Sequence, residues 1–305
     1  MYERILVPLD GSPLAEQVLP YVRLLARKLG ARVDLVRVFD RVPPGMADPQ
    51  HHLYLDQVAL SLRNEAEDYL KGVAADLEKD GVTDSCAVHE GDHASAVASF
   101  IVSEAEKAPD TLLAMCTHGR SGLGRWVMGS ISDKVMHATA APLLLVRATK
   151  EDEFEPEVKL QTLIVPLDGS DLAEQILPHA VAMAKALSLK VLVVAVTPPV
   201  YASLMAEGAA YAAPAAPAEP DPATIEYLAK VAERLRGEGL EVEEKPLYGP
   251  PAEVILDTAL STPGSIVAMT THGRTGIGRW LLGSVADRVV RYSGGPVLLH
   301  RAAGG

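Results

Sequence analysis

The sequence predicts an α/β protein of two tandem domains, each a five-stranded parallel sheet flanked by helices. Three observations carry this. The chain repeats itself, with ILVPLDGSPLAEQVLP at Ile5 to Pro20 and LIVPLDGSDLAEQILP at Leu163 to Pro178. Each copy alternates short Val/Ile/Leu-rich runs with longer stretches whose apolar residues recur at helical spacing. In each copy an apolar run also ends in a glycine-rich loop that feeds a helical pattern. These stretches read LLAMCTHGRSGLGRWVMGSISDKV at Leu112 to Val135 and IVAMTTHGRTGIGRWLLGSVADRV at Ile266 to Val289. Repeated strand–helix alternation calls for a parallel sheet, right-handed crossovers and helices on both faces.

The repeat sets the domain boundaries. Residue 5 matches residue 163, an offset of 158, whereas Gly119 matches Gly273 and Gly129 matches Gly283 at an offset of 154. The second copy has lost a net four residues in between. A period of this size is a duplicated domain rather than a solenoid. Domains are expected at 1–149 and 160–305. The charged, proline-containing KEDEFEPEVK at 150–159 forms the linker.

Within the first copy, Arg4 to Leu9 is apolar enough for a strand buried on both faces. Asp10-Gly11-Ser12-Pro13 is a turn and helix start, with Ser12 as N-cap and Pro13 at the first helical position. Ala15, Val18, Leu19, Val22, Leu25, Ala26 and Leu29 share one helical face, and Gly30 ends the helix. Pro20, repeated as Pro178, predicts a bend there, since it removes a backbone hydrogen bond. Further strands are expected at Arg32 to Phe39, Val82 to His89, Thr111 to Cys116 and Pro142 to Arg147. A long amphipathic helix covers Leu55 to Leu77, one capped by Gly91-Asp92 runs to Ala108, and one spans Ser130 to Ala140. The second copy places strands at 162–167, 190–196, 241–247, 265–270 and 296–301. Its Ala/Pro-rich stretch at 198–222 lacks periodicity and is expected to be mobile or ordered by a partner.

Composition narrows the function. The 305 residues are 48% hydrophobic, which is ample for two cores. Acidic residues outnumber basic ones, 40 to 28, for a formal charge of −12. That argues against nonspecific nucleic-acid binding and against attraction to an anionic membrane surface. No apolar run approaches the roughly 20 residues of a membrane span. The opening MYERILVPLDGS reads as strand and turn rather than as a signal peptide. The only cysteines, Cys86 and Cys116, make no disulfide framework, so a reducing cytoplasm is expected.

The chemistry lies where strands one and four end, since open parallel sheets bind ligands beyond their carboxyl edge, at the reversal of strand order. Gly129-Ser130 and Gly283-Ser284 begin helices, with Asp133 and Asp287 three residues beyond each serine, close to a capping box. One reading is a plain N-cap. The other is a phosphate cradle, in which glycine admits the anion and the hydroxyl and first N–H groups meet it. The duplicated spacing, with Gly119 or Gly273 nine residues before Gly-Ser, favours the cradle. Asp10 and Asp168 are either Asx-turn residues or contacts to a ribose hydroxyl or metal-bound water. His118 and His272 are either backbone-bonded loop histidines or phosphate contacts. Arg120, Arg125, Arg274 and Arg279 are either solvated or charge-neutralising. Trp126 and Trp280 read as packing anchors, and His51-His52 is weak as a metal site. There is no GxxxxGK[ST] loop, no GxGxxG spacing and no nucleophile elbow, and no general base is placed by sequence, so any hydrolysis is expected to be slow.

These motifs resemble the universal stress protein family over essentially the whole chain, as a tandem pair. The family pattern is Gly, two residues, Gly, nine residues, Gly, then Ser or Thr. Gly119, Gly129 and Ser130 match it, as do Gly273, Gly283 and Ser284, but Cys116 and Thr270 replace the first glycine. A β-carbon there narrows the approach of ribose or phosphate. The resemblance implies Rossmann-like domains of the adenine nucleotide alpha hydrolase type, binding ATP, or AMP or ADP, with or without Mg²⁺. By position, Pro8, Leu9 and Asp10 line the adenosine end and Val38 meets adenine through its backbone. Met115, Cys116 and Gly119 flank ribose and phosphate, and Gly129, Ser130 and Ile131 hold the phosphates. The second set is Pro166, Leu167, Asp168, Val196, Met269, Thr270, Gly273, Gly283, Ser284 and Val285. His118 and His272 join these sets as loop candidates. The resemblance also implies that Leu143 to Arg147 and Val297 to Arg301 pair within the chain as an internal pseudo-dimer, on which a homodimer is built. Three functions stay open at this level: a nucleotide-binding stress-response module, a slow ATPase, and a nucleotide-independent interaction scaffold.

Overall fold

Strands form where β-branched and leucine-rich runs are buried on both faces. In the computed structural model the first copy supplies β1 (Arg4–Pro8), β2 (Arg32–Asp40), β3 (Asp84–Gly91), β4 (Thr111–Cys116) and β5 (Leu143–Val146). They pair in parallel in the order β3-β2-β1-β4-β5. Ile5, Leu6, Val7, Leu112, Leu113 and Ala114 are fully buried at the centre of this sheet. The second copy supplies β6 (Thr162–Leu167), β7 (Lys190–Thr197), β8 (Val242–Tyr248), β9 (Ser265–Thr270) and β10 (Val297–His300), in the order β10-β9-β6-β7-β8. The structure describes residues 2–40, 52–82, 84–91, 93–117, 128–149, 158–199, 219–271 and 283–302. The chain divides into two units, residues 1–158 and 159–305.

The order explains why two distant stretches meet. Strand order reverses between β1 and β4, which pair as Arg4 with Thr111 and Leu6 with Leu113. β6 and β9 pair likewise, Thr162 with Ser265 and Ile164 with Val267. The turn after the first strand and the loop after the fourth therefore leave the sheet side by side, at the reversal point where such sheets bind ligands.

The helix expected from Ser12 to Leu29 is two helices, α1 (Pro13–Glu16) and α2 (Leu19–Leu29). Proline inside a continuous helix would clash and lose a hydrogen bond. The chain instead breaks at Gln17-Val18, and Pro20 falls in the first turn of α2, where no N–H is needed. The Gln17 side-chain amide exchanges hydrogen bonds of 2.8 Å with the backbone of Thr149 at this break. Gly30 caps α2 in the left-handed region at φ 67°. Next come α3 (His52–Lys79), α4 (Ala94–Ala105) and α5 (Ser130–Ala138). The expectation that Gly91-Asp92 caps a helix is corrected, since Gly91 is the last residue of β3 and His93 precedes α4. A β-carbon on Gly91 would stand 2.7 Å from Val38 Cγ1, so glycine lets the end of β3 close on β2. Asp92 lies outside the described residues.

The second unit follows with α6 (Asp171–Glu174), α7 (Leu177–Leu187), α8 (Pro222–Gly237), α9 (Pro251–Leu260) and α10 (Ser284–Tyr292). Pro178 again opens the longer helix of the broken pair. Most of the Ala/Pro-rich stretch, 200–218, and of the expected linker, 150–157, lies outside the described residues. α8 starts where the Asp221 side chain accepts the Ala223 N–H and Pro222 takes the first helical position.

Candidate functional site

The candidate site is built on the turn after the first strand and on the junction of the fourth strand's end with the next helix start. After β6, Asp168 Oδ1 accepts the Ser170 N–H at 3.0 Å and the Ser170 hydroxyl at 2.6 Å. Ser170 Oγ in turn accepts the Ala173 N–H at 3.1 Å, capping α6. After β1, Asp10 receives the same two bonds from Ser12, at 2.9 and 2.6 Å, and Ser12 Oγ caps α1 through Ala15 N–H at 3.2 Å. Both aspartates are thus Asx-turn residues, the first of the two readings the sequence leaves open. The turn requires Gly11 and Gly169, at φ 83° and 79°. It also fixes each carboxylate beyond its strand.

The second part brings the end of the fourth strand against the start of the next helix. Thr271 N–H donates to His300 O at 3.0 Å, and Gly283 N–H donates to Thr271 O. The first unit repeats this, Thr117 to Val146 at 2.9 Å and Gly129 to Thr117 at 2.8 Å. Ser132 Oγ adds a bond to Cys116 O at 2.9 Å. Of the two readings of Gly-Ser, the plain serine N-cap is not the one adopted. Gly129 and Gly283 are the N-caps, and Ser130 and Ser284 are the first helical residues. The glycine backbone, at φ −58° and ψ 143°, itself makes the extended entry, and among the described residues no side-chain cap bond is made at either N-cap. First-turn N–H groups left without a side-chain cap, at the positive end of the helix dipole, are what an anion site needs.

In the second unit these parts border a cavity of about 570 Å³, within the range of small-molecule sites. Pro166, Leu167, Asp168, Val196, Met269, Thr270, Gly283, Ser284 and Val285 all line it. These are all the second-copy candidates within the described residues. His272 and Gly273 lie outside them, as do Arg274, Arg279 and Trp280. In the first unit Pro8, Leu9, Asp10, Val38, Met115, Cys116, Gly129, Ser130 and Ile131 hold the same places on the same elements. His118, Gly119, Arg120, Arg125, Trp126 and His51 lie outside the described residues.

Part of the cavity wall escaped sequence reasoning. Asp221, Ala223, Thr224 and Tyr227 line it from α8, and Pro251 and Ile255 from α9. Tyr227 carried a signal, because it repeats Tyr69 at the offset of the first strand. The Tyr227 hydroxyl donates to Glu174 Oε1 at 3.0 Å and the Tyr69 hydroxyl to Glu16 Oε1 at 2.7 Å. Burial, reinforced by these carboxylates, pushes both phenols above their ordinary range, so they stay protonated donors. Burial pushes the Cys116 thiol up as well, which removes its nucleophilicity. Among the described residues no three His, Cys, Asp or Glu side chains form a metal-binding group. Among them, too, no helix is long and apolar enough to cross a membrane.

Comparison with known proteins agrees with this architecture. The universal stress protein family matches the chain twice, over residues 1–147 and 159–301. A universal stress protein of Methanocaldococcus jannaschii is 33% identical over 152 residues, half of this chain and 86% of that protein. One from Thermus aquaticus is 32% identical over 148 residues, 48% of this chain and the whole of that protein. The crystal structure of a universal stress protein from Archaeoglobus fulgidus superposes with a TM-score of 0.71 at 22% identity. It covers 99% of this chain and 100% of its own.

Proposed function

Since the chain belongs to the universal stress protein family, with one such domain in each half, we propose that it binds an adenine nucleotide, ATP foremost, and acts in stress response through its nucleotide-bound state. One observation carries the reading. The second unit's cavity lies at the reversal of strand order and ends on a helix start whose N-cap, among the described residues, has no side-chain bond. Ser284, Val285 and the N–H groups of that first turn suit the phosphates. Pro166, Leu167 and Val196 supply an apolar and backbone wall for the adenosine end, with Asp168 between. Tyr227, held protonated, is a donor and not a base. The function therefore rests on binding, and occupancy of the site is the signal.

ATP should raise the melting temperature, because a ligand selective for the folded state stabilises it by about 2.7 kcal/mol at a hundred times its dissociation constant. Gly283→Val puts a branched side chain where the anion approaches and should remove one ATP per chain, and Gly129→Val the other. Absence of any melting shift at millimolar ATP, with and without Mg²⁺, would sink the proposal.

A further inference from the structure

The two units differ inside the site region. In the first, the Arg37 side chain is only 7% exposed and its guanidinium lies 4.8 Å above the Tyr69 ring. Its Nη2 stands 3.5 Å from Glu65 Oε1, and its buried Nε has no hydrogen-bond partner among the described residues. A β-carbon on Gly11 would stand 3.1 Å from the guanidinium carbon. The guanidinium thus occupies a space bounded by Gly11, Glu65 and Tyr69.

The same space in the second unit can be located residue by residue. Pro8 pairs with Val36 as Pro166 pairs with Val194, so Arg37 corresponds to Ala195. Tyr69 and Tyr227 make the same bond to Glu16 and Glu174, and four residues earlier on each helix stand Glu65 and Ala223. Gly11 corresponds to Gly169 in the matching turn. Gly169, Ala195, Ala223 and Tyr227 all line the second unit's cavity. Alanine at 195 leaves open what the Arg37 side chain fills in the first unit, and Ala223 stands where the largely exposed Glu65 faces that guanidinium.

We infer that Arg37 sets the two nucleotide sites apart: it fills in the first unit the lobe that Ala195 and Ala223 leave open in the second, which makes the second the tighter ATP site. The inference rests on the nucleotide reading above. Arg37 acts by volume rather than as a phosphate receptor, because it is stacked on Tyr69 and faces Glu65, with Glu16 on the far end of that tyrosine. A ligand in the first unit either forgoes the lobe or lifts the guanidinium off the ring, and the lost cation–π contact weakens binding by about tenfold.

The test is calorimetric titration of the full chain with ATP, with circular dichroism melts to verify folding. The wild type should show two classes of site about tenfold apart. Transplanting the first unit's pair into the second, as Ala195→Arg/Ala223→Glu, should reduce the tight class to the weak one. The reverse exchange, Arg37→Ala/Glu65→Ala, only removes side-chain atoms and should raise the weak class to the tight one. It decides the matter by itself if the first variant does not fold. Two equal sites in the wild type, or an unchanged isotherm in Arg37→Ala/Glu65→Ala, overturns the inference while leaving the nucleotide reading intact. No ATP binding by any of the proteins removes that reading and this inference with it.

Discussion

At the start of the first sheet the Arg4 guanidinium is bonded to the Asp34 carboxylate, both almost fully buried. Arg4 also donates to Glu104 O at 2.7 Å, and the Ser85 hydroxyl donates to Asp34 at 2.7 Å. At the same places the second unit has Thr162 and Leu192. One fold thus accepts either a buried ion pair with its satellite bonds or a hydroxyl beside a leucine. Solvation explains why both work. An ion pair sheltered from water recovers most of what its two charges lose on burial, and an apolar pair has nothing to recover. What neither unit can tolerate is half of the pair. The two units differ again at the Arg37 and Ala195 positions, where the second residue lines a cavity rather than a core.

The comparison can be broken most forcefully at this pair. Arg4→Thr leaves Asp34 buried without its main partner and should destabilise the first unit by about 3 kcal/mol. Arg4→Thr/Asp34→Leu copies the second unit and should recover most of that loss. Hydrogen exchange read peptide by peptide separates the two units. If the double variant is as unstable as the single one, the equivalence of the two solutions is wrong.

A smaller effect is expected at Gly264. Its φ is +66°, and a β-carbon would stand 2.5 Å from Lys159 O. Its counterpart Asp110, which accepts the Glu3 N–H as Gly264 accepts that of Gln161, has no positive φ. Gly264→Ala should cost the second unit about 2 kcal/mol, and Asp110→Ala a few tenths at most. Equal effects in chemical denaturation would show that the two turns are not distinct.

Helix ends invert the comparison. Gly30 closes α2 with φ 67°, while Ser188 closes α7 with φ 55° and bears the cost of a β-carbon there. Ser188→Gly should stabilise the second unit by about 1 kcal/mol. A loss of stability would mean that the serine hydroxyl outweighs the backbone.

A further difference is in acid response. His179 and His300 lie with ring centroids 4.3 Å apart, where the first unit has Tyr21 and Val146. Burial, and then the neighbouring imidazole, lowers the His179 pKa from 6.5 to about 4. Burial lowers that of His300 too. The unfolded chain takes up protons below pH 6.5 that the folded unit resists until about pH 4. The second unit should therefore lose stability across that window, with no change above it. His179→Tyr should flatten the loss, and a profile unmoved by this variant would assign the acid response elsewhere.

Much of the site was legible because its signals are local. The Asp-Gly-Ser-Pro turn follows from a left-handed glycine, a carboxylate that bonds two residues on, and a proline at a helix start. Gly129 and Gly283 stand out by spacing alone. Which residue caps these helices was a local ambiguity, since Gly-Ser at a helix start permits either residue to be the cap, and the backbone angles chose glycine. The first helix was a question of weight, because a strong apolar stripe reads as one bent helix where Pro20 in fact imposes a break. The walls from α8 and α9 were not legible. Ala223, Thr224 and Ile255 look like any helix residues until the sheet brings them to the cavity.

The sequence by itself determined the duplication, the α/β alternation, the strand cores and the glycine turns, because each depends on composition or spacing within a few residues. The tertiary structure decided which strand neighbours which. It placed the turn after β1 beside the end of β4, across 107 residues of chain from Arg4 to Thr111. It also stacked Arg37 on Tyr69 and opened the matching space at Ala195. These are encounters between residues distant in sequence, selected by the burial of whole faces, and no local periodicity records them.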